Sequence, residues 1–279
     1  MAASQSPPLG AHRALPNGTL PLAEIQRILT SPFCDDATFA ALREDPRASV
    51  AALLLSAQRR HLRLEKDLAR RSTMLAIEQE LLAAGCVRIA GVDEAGIGPL
   101  AGPIVAAAVI LGDAAEIVGI DDSKRLTEKR RESLAIEIRE RATCFAIGIA
   151  NIHEIDEFNV YHAGLLAMRR AVEGLAQQPD HVLVDARRIP DLGMAQSAYV
   201  RGDSRSLSIA AASILAKTHR DALMVELDRA HPGYGLAKHK GYGTAEHQAA
   251  LRQLGASPAH RTSYQAVQEL IAGAPRHAD

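Results

Sequence analysis

From Ser49 to Leu82 apolar residues recur at helical spacing: Val50, Leu53, Leu54, Leu62, Leu68, Leu75, Leu81 and Leu82, with arginine and glutamate between them. Leu22, Ile25, Ile28 and Leu29 form a shorter amphipathic set ahead of it. Residues 20–84 therefore read as a helical extension. Its run of Arg59, Arg60, His61, Arg63, Lys66, Arg70 and Arg71 reads first as a solvated helix face and second as a face for phosphates.

At Val87 the period changes. Val87, Ile89 and Val92 rise as a strand to a glycine-rich turn, and Ile104 to Leu111 is an unbroken apolar strand of β-branched residues and alanines. Thr143 to Ala150 predicts a third strand, and Val182-Leu-Val184 and Tyr199-Val200 predict two short ones, each followed closely by an aspartate. Thr127 fits the N-cap of a helix through about Arg141, with Leu134 near its middle. Tyr161 to about Gln177 reads as an amphipathic helix, and Ser206 to about Arg229 as a long one packed with alanines. Two strands in succession, then strands alternating with helices, predict an α/β sheet of mixed direction.

Composition narrows the class. The chain has 279 residues, 47% of them hydrophobic, with 32 Lys+Arg against 33 Asp+Glu. That suits one substantial core with a smaller appendage. Met1 to Thr19, with three prolines and few large apolar residues, reads as a disordered leader, and 271–279 as a tail. The run Ile104 to Leu111 is far short of the ~20 residues a bilayer demands, and the leader lacks the apolar stretch of a secretory signal. Cys34, Cys86 and Cys144 are scattered and odd in number, which suits buried thiols in a reducing cytoplasm and offers no zinc knuckle. With 3% aromatics and no Trp, rows of stacked bases are excluded as a mode of recognition.

The candidate chemistry is acidic. Ile89-Ala-Gly-Val-Asp93-Glu94 places two carboxylates at the carboxyl end of a buried strand, Asp185 ends Val182-Leu-Val184, and Asp203 follows Tyr199-Val200-Arg-Gly202. Strand carboxyl ends are where α/β sheets build sites. Taken singly, an aspartate after a strand is ordinarily a turn former. As a set, these acids repel one another unless cations sit among them, and hard divalent ions with oxygen ligands answer that need. Two such ions about 3.5–4 Å apart suit phosphodiester hydrolysis. Gly96-Ile-Gly98-Pro-Leu-Ala101 also satisfies a dinucleotide fingerprint, with Asp121 at the expected distance. Its context fails, because Pro99 and Pro103 interrupt the segment and a strand rather than a helix follows. An oxidoreductase is rejected on that ground.

Several motifs, in order, resemble bacterial ribonuclease HII: Asp93-Glu-Ala-Gly-Ile-Gly-Pro-Leu-Ala-Gly-Pro103, Asp122-Ser-Lys124, His153-Glu-Ile-Asp156, Gly202-Asp203, Ser208 to Lys217 with Arg220-Asp221, and His239-Lys-Gly-Tyr-Gly-Thr244. The likeness runs from about Val87 to Val267, and residues 20–84 are similar to the N-terminal extension of some members, including Asp45-Pro-Arg47. The resemblance implies an RNase H-like fold, a mixed five-stranded sheet flanked by helices, with 87–270 as the catalytic domain. It implies endonucleolytic cleavage of RNA in RNA–DNA hybrids and at single ribonucleotides in duplex DNA, leaving a 5′-phosphate and a 3′-hydroxyl. Asp93, Glu94, Asp185 and Asp203 would hold two Mn2+ or Mg2+ ions. Gly96, Ile97 and Gly98 would read the ribose 2′-hydroxyl, Tyr242 would stack on the sugar beside the junction, and Ser123 and Lys124 would meet phosphate. The partners implied are hybrid and ribonucleotide-containing duplex, with no membrane, and the chain is expected to act as a monomer.

Two departures stand out. Ile97 replaces the arginine usual in the family's Gly-Arg-Gly, removing a cation and exposing an apolar side chain, so weaker binding or altered junction preference is expected. The alternative reading is a hybrid-binding protein with impaired catalysis. Ala186 stands where glycine usually follows the aspartate, which bears on the pose of Asp185. Lys124, Arg125, Arg187, Arg188, Arg201, Arg205, Lys217, Lys238 and Lys240 would line a basic groove, Lys217 alternatively pairing with an acid of the site, and His239 and His247 are given no role.

Overall fold

The computed structural model describes residues 20–30 and 36–272. The leader, Cys34 and most of the tail lie outside them. The described residues divide into two compact units, parting between Leu68 and Ala69. Helices α1 (Leu22–Thr30), α2 (Asp36–Arg43) and the larger part of α3 (Ala48–Met74) make up the first unit. The amphipathic sets meet there as expected: Ile25, Leu29, Leu42, Val50, Leu54 and Ala57 form one buried cluster. In the link to α3, Asp45 accepts from the backbone N–H and the guanidinium of Arg47, which holds its carboxyl down at about 2.

The second unit opens with the end of α3 and α4 (Ala76–Ala83), and then builds one sheet. Its strands are β1 (Ile89–Ala95), β2 (Ile104–Ile110), β3 (Cys144–Ala150), β4 (His181–Asp185) and β5 (Ala195–Tyr199), in the order β3-β2-β1-β4-β5. β1–β2 and β2–β3 are antiparallel; β1–β4 and β4–β5 are parallel. Five strands of mixed direction therefore stand as expected. β2 is buried along its whole length, which explains its unbroken apolar run.

Helix α5 (Glu128–Arg141) starts at the Thr127 cap, with Leu134 buried. α6 (Ile152–Glu173) covers one face of the sheet, where Val92, Ala106, Ala108 and Val184 meet Leu165, Met168 and Val172. α7 (Leu207–Ala230) covers the other, where Ala107 and Val109 meet Ala211, Ile214 and Leu215. α8 (Leu236–His239), α9 (Ala245–Leu254) and α10 (Gln265–Ala272) complete the unit. Gly91 shows why α7 lies so close: a Cβ there would fall 2.1 Å from the Ser208 carbonyl carbon. Among the described residues no helix is long and apolar enough to cross a membrane.

Three expectations are corrected. The fifth strand is Ala195–Tyr199 rather than Tyr199-Val200; among the described residues it pairs only with β4, so as an edge it needs no apolar run, and Val200 lies beyond it, exposed. α6 gains a segment the expectation lacked, from Ile152, where Asn151 and Glu154 form a capping box. Asn159 (φ +67°) then interrupts the helix, and its Oδ1 accepts the Tyr161 and His162 N–H groups, so the expected helix does start at Tyr161. Cys86 and Cys144 are half-buried rather than buried.

Candidate active site

β1 and β4 run in parallel register, Val92 against Val184, so the next residues, Asp93 and Asp185, stand side by side on strands about 4.8 Å apart. Asp93 shares a face with Gly91, the one under α7. Glu94 turns the other way, toward the Arg187 guanidinium. Asp203 does not end β5; it lies in the tight turn Gly202–Ser204 that enters α7, where the Gly202 N–H donates to Asp185 Oδ1 at 2.6 Å. Lys124 Nζ sits 3.6 Å from Asp203 Oδ2.

The electrostatics record this crowding. Asp93 is only 4% exposed, and burial, then the charges of Glu94 and Asp185, push its carboxyl well above the carboxylate range. Hydrogen bonds from the Ser213 hydroxyl and the Glu94 N–H (2.7 Å) oppose that rise. Burial also raises Glu94, with Asp185 adding and Arg187 opposing, and raises Asp203, with Asp122 and Asp185 adding and Lys124 opposing. Partial desolvation pulls the Lys124 ammonium down, and Asp203, Asp93, Asp122 and Asp185 more than reverse it.

The donor set is all oxygen, and Glu94 Oε2 is buried with no hydrogen-bond partner among the described residues. Both features fit hard divalent cations. No three His, Cys, Asp or Glu side chains among the described residues form a ready-made ion-holding group. The four acids converge without enclosing one point.

The remaining expected residues fall around this centre. Gly96 (φ +102°), Ile97 and Gly98 form the turn between β1 and β2; it opens a strand and no helix, against the dinucleotide fingerprint. A Cβ on Gly98 would lie 3.9 Å from the ring of Tyr242, so turn and tyrosine are neighbours. Tyr242 is 46% exposed. Ile97 is half-buried rather than exposed: it packs on the α6 cluster beside Gly164, whose missing Cβ leaves the room. Ser123 also departs from expectation. It is buried, and its hydroxyl meets that of Ser213 at 2.9 Å, behind Asp93 rather than toward a phosphate.

Ala186 takes φ +56°, and the Arg187 N–H reaches back to the Asp185 carbonyl at 2.6 Å, the rarer form of γ-turn. In the basic groove Lys124 and Arg187 lie at the acids. Arg125 pairs with Asp121, Lys238 with Glu246 and Lys240 with Glu128. The carboxylate of Lys217 is Asp221 at 2.6 Å, not one of the four acids, and its ammonium stands 5.9 Å from the Tyr242 ring centre.

A sequence model of the family described as Ribonuclease HII matches residues 90–267, and one described as Ribonuclease HII N-terminal domain matches 21–82. The chain belongs to the ribonuclease HII family. It is 50% identical over 253 residues to a ribonuclease HII of Myxococcus xanthus, covering 87% of this chain and 85% of that one. It is 48% identical to a ribonuclease HII of Geobacillus kaustophilus, covering 89% and 95%. The ribonuclease H2 structure from Pyrococcus horikoshii matches with a TM-score of 0.57 at 25% identity, over 66% of this chain and 97% of that one. A Bst-RNase HIII structure in complex with Mn2+, at 22% identity and a TM-score of 0.55 over 68% and 71%, shares the fold. As a ribonuclease HII family member this chain is a ribonuclease H, a nuclease acting endonucleolytically on the RNA of RNA–DNA hybrids.

In this ribonuclease HII chain the sequence reading passed over four groups. Asp122 faces Asp203 and favours its protonated form, and Ser213 hydrogen-bonds Asp93. Arg220 and Arg261 are buried against the glycine turn. Asp122, Ser213 and Arg220 sat inside quoted motifs and carried that signal; Arg261 carried none.

Proposed function

We propose that the chain cuts at ribonucleotides within RNA–DNA hybrids and at single ribonucleotides in duplex DNA, with Asp93, Glu94, Asp185 and Asp203 holding two Mn2+ or Mg2+ ions. The products are a 5′-phosphate and a 3′-hydroxyl. Residues 87–270 form the catalytic domain, with 20–84 as its helical extension, acting as a cytoplasmic monomer. The convergence of four carboxyl groups, with Asp93 raised by burial and by its acidic neighbours, carries this reading. Bound there, such ions supply an activated water and offset charge on the scissile phosphate. The chain's own residues hold the acids in place: Ser213 and the Glu94 N–H fix Asp93, and the Gly202 N–H fixes Asp185. Lys124 and Arg187 beside the acids, and the exposed Tyr242 beside the glycine turn, support contact with a duplex. The seat of Ile97 against Gly164 withdraws that side chain from phosphate, which favours altered junction preference over lost catalysis.

The test is cleavage of a labelled duplex containing one ribonucleotide, with and without Mn2+ or Mg2+, with the products mapped. Cleavage should require the ion. Asp93→Asn should lose turnover by about a thousandfold while hybrid affinity stays within about threefold. Normal cleavage by that variant would overturn the assignment.

A further inference from the structure

Two guanidinium groups are buried in the second unit without an ion pair among the described residues. Arg220 is 1% exposed and Arg261 0%. A buried charge demands full hydrogen bonding, and here the acceptors are backbone carbonyls and one tyrosine hydroxyl. Arg261 donates from Nη2 to Gly96 O (2.5 Å) and Gly102 O (2.8 Å), from Nε to Gly102 O (3.0 Å), and from Nη1 to Ile97 O (3.1 Å) and Tyr264 Oη (2.9 Å). Arg220 donates to Pro103 O (3.0 Å), Ala101 O (3.1 Å) and Lys240 O (3.0 Å). Burial lowers both arginines, Arg220 to about 10. Gly96 leaves room for this, since a Cβ there would fall 2.3 Å from Arg220 Nε.

The consequence follows from peptide geometry. In a trans peptide the C=O and the next N–H point in opposite directions, and no cis bond occurs among the described residues. With the Gly96 and Ile97 carbonyls drawn inward to Arg261, the N–H groups of Ile97 and Gly98 face outward. Among the described residues no backbone acceptor takes them. They stand beside Tyr242 as two adjacent donors for an oxygen acceptor. The turn is also locked to the tyrosine's loop, through Leu100 N–H to Gly241 O (2.8 Å) and through Arg220 to Lys240 O.

We propose that Arg261, supported by Arg220, is the positioning residue that aims the 96–98 turn's N–H groups at a ribose 2′-oxygen, and so sets preference for ribonucleotide over deoxyribonucleotide. This rests on the nuclease reading above. Arg261 touches no substrate; it acts through the turn.

The test compares affinity for a duplex containing one ribonucleotide with affinity for the same duplex in all-deoxy form, with Ca2+ as the divalent ion. The proteins are wild type, Arg261→Lys and Tyr264→Phe in the full chain, alongside KM and kcat for ribonucleotide cleavage with Mn2+. Arg261→Lys keeps the charge but loses the fork, and should lower the ribo-to-deoxy affinity ratio about tenfold with little change in all-deoxy binding. Its KM should rise by the same factor. Tyr264→Phe removes one partner of Nη1 together with the Tyr264 O–H that itself donates to Ile97 O (3.1 Å), and should lower the ratio about twofold while folding normally, so the inference stays testable if the lysine variant unfolds. A wild-type ratio in folded Arg261→Lys, or in Tyr264→Phe if the lysine variant does not fold, overturns it. Failure of wild type itself to cleave or to prefer the ribonucleotide duplex would instead strike the underlying nuclease reading, and the inference with it.

Discussion

Acidification should destabilise the second unit through one histidine. His260 is 1% exposed, and its Nε2 meets His247 Nε2 at 3.0 Å. The His247 Nδ1–H donates to the Tyr242 carbonyl (2.9 Å), so His247 Nε2 is the acceptor and His260 Nε2–H the donor. His260 Nδ1 then accepts the Ser257 N–H at 3.0 Å. Every ring nitrogen of this pair is committed, and a proton added to His260 would face the Ser257 N–H. Burial, then the charges of His247, His231 and His239, hold His260 down at about 4 against an ordinary 6.5, with the Tyr234 ring packed 4.7 Å away.

The sign follows from linkage. The unfolded chain takes up this proton first, so the contribution is full above about pH 6.5 and is lost as pH falls toward 4. Between about pH 7 and about pH 5 the loss is about 2 kcal/mol. The raised carboxyl groups of Asp93, Glu94 and Asp203 act oppositely, since their protonated forms are favoured in the fold. A His260→Gln variant shares them. Urea unfolding of both proteins at the two pH values therefore isolates the histidine: the stability margin of wild type over variant should shrink by about 2 kcal/mol at the lower pH. An unchanged margin would refute the reasoning.

Two further substitutions test the frame of the site. Ala186→Gly should raise stability by about 1 kcal/mol, because alanine at φ +56° carries strain that glycine lacks; a loss in chemical denaturation would show that the Ala186 methyl is needed. Glu78→Ala should cost about 2 kcal/mol in thermal unfolding, because Glu78 Oε1 accepts from Ser206 Oγ (2.6 Å), Ser208 N–H (3.0 Å) and Ser208 Oγ at the start of α7. Glu78→Gln, which keeps an acceptor, should recover part of that, and an equal loss in both variants would count against capping as the cause.

What could be read in advance divides along a physical line. β2 announces itself because burial on both faces demands an unbroken apolar run, and Thr127 because an orphan helix N–H needs an oxygen. The acids were visible because each stands close behind an apolar strand or its following turn. Side-by-side placement of Asp93 and Asp185 was not visible; it depends on the register of Val92 against Val184, which no local pattern encodes. The extent of β5 stayed hidden because an edge strand meets weaker apolar demands. The burial of Arg220, Arg261 and Glu78 stayed hidden for a stronger reason. Their partners are backbone groups or small hydroxyls, which every sequence contains, so a buried ion satisfied this way looks like a surface charge. Ile97 failed in the reverse sense: polar and glycine neighbours suggested exposure, while its seat was made by a missing Cβ on Gly164, far along the chain. The four acids form the part of the site that repels itself, and carboxylates are conspicuous. The parts that hold their surroundings in place are hydrogen bonds to the main chain, and those become legible only when the fold is known.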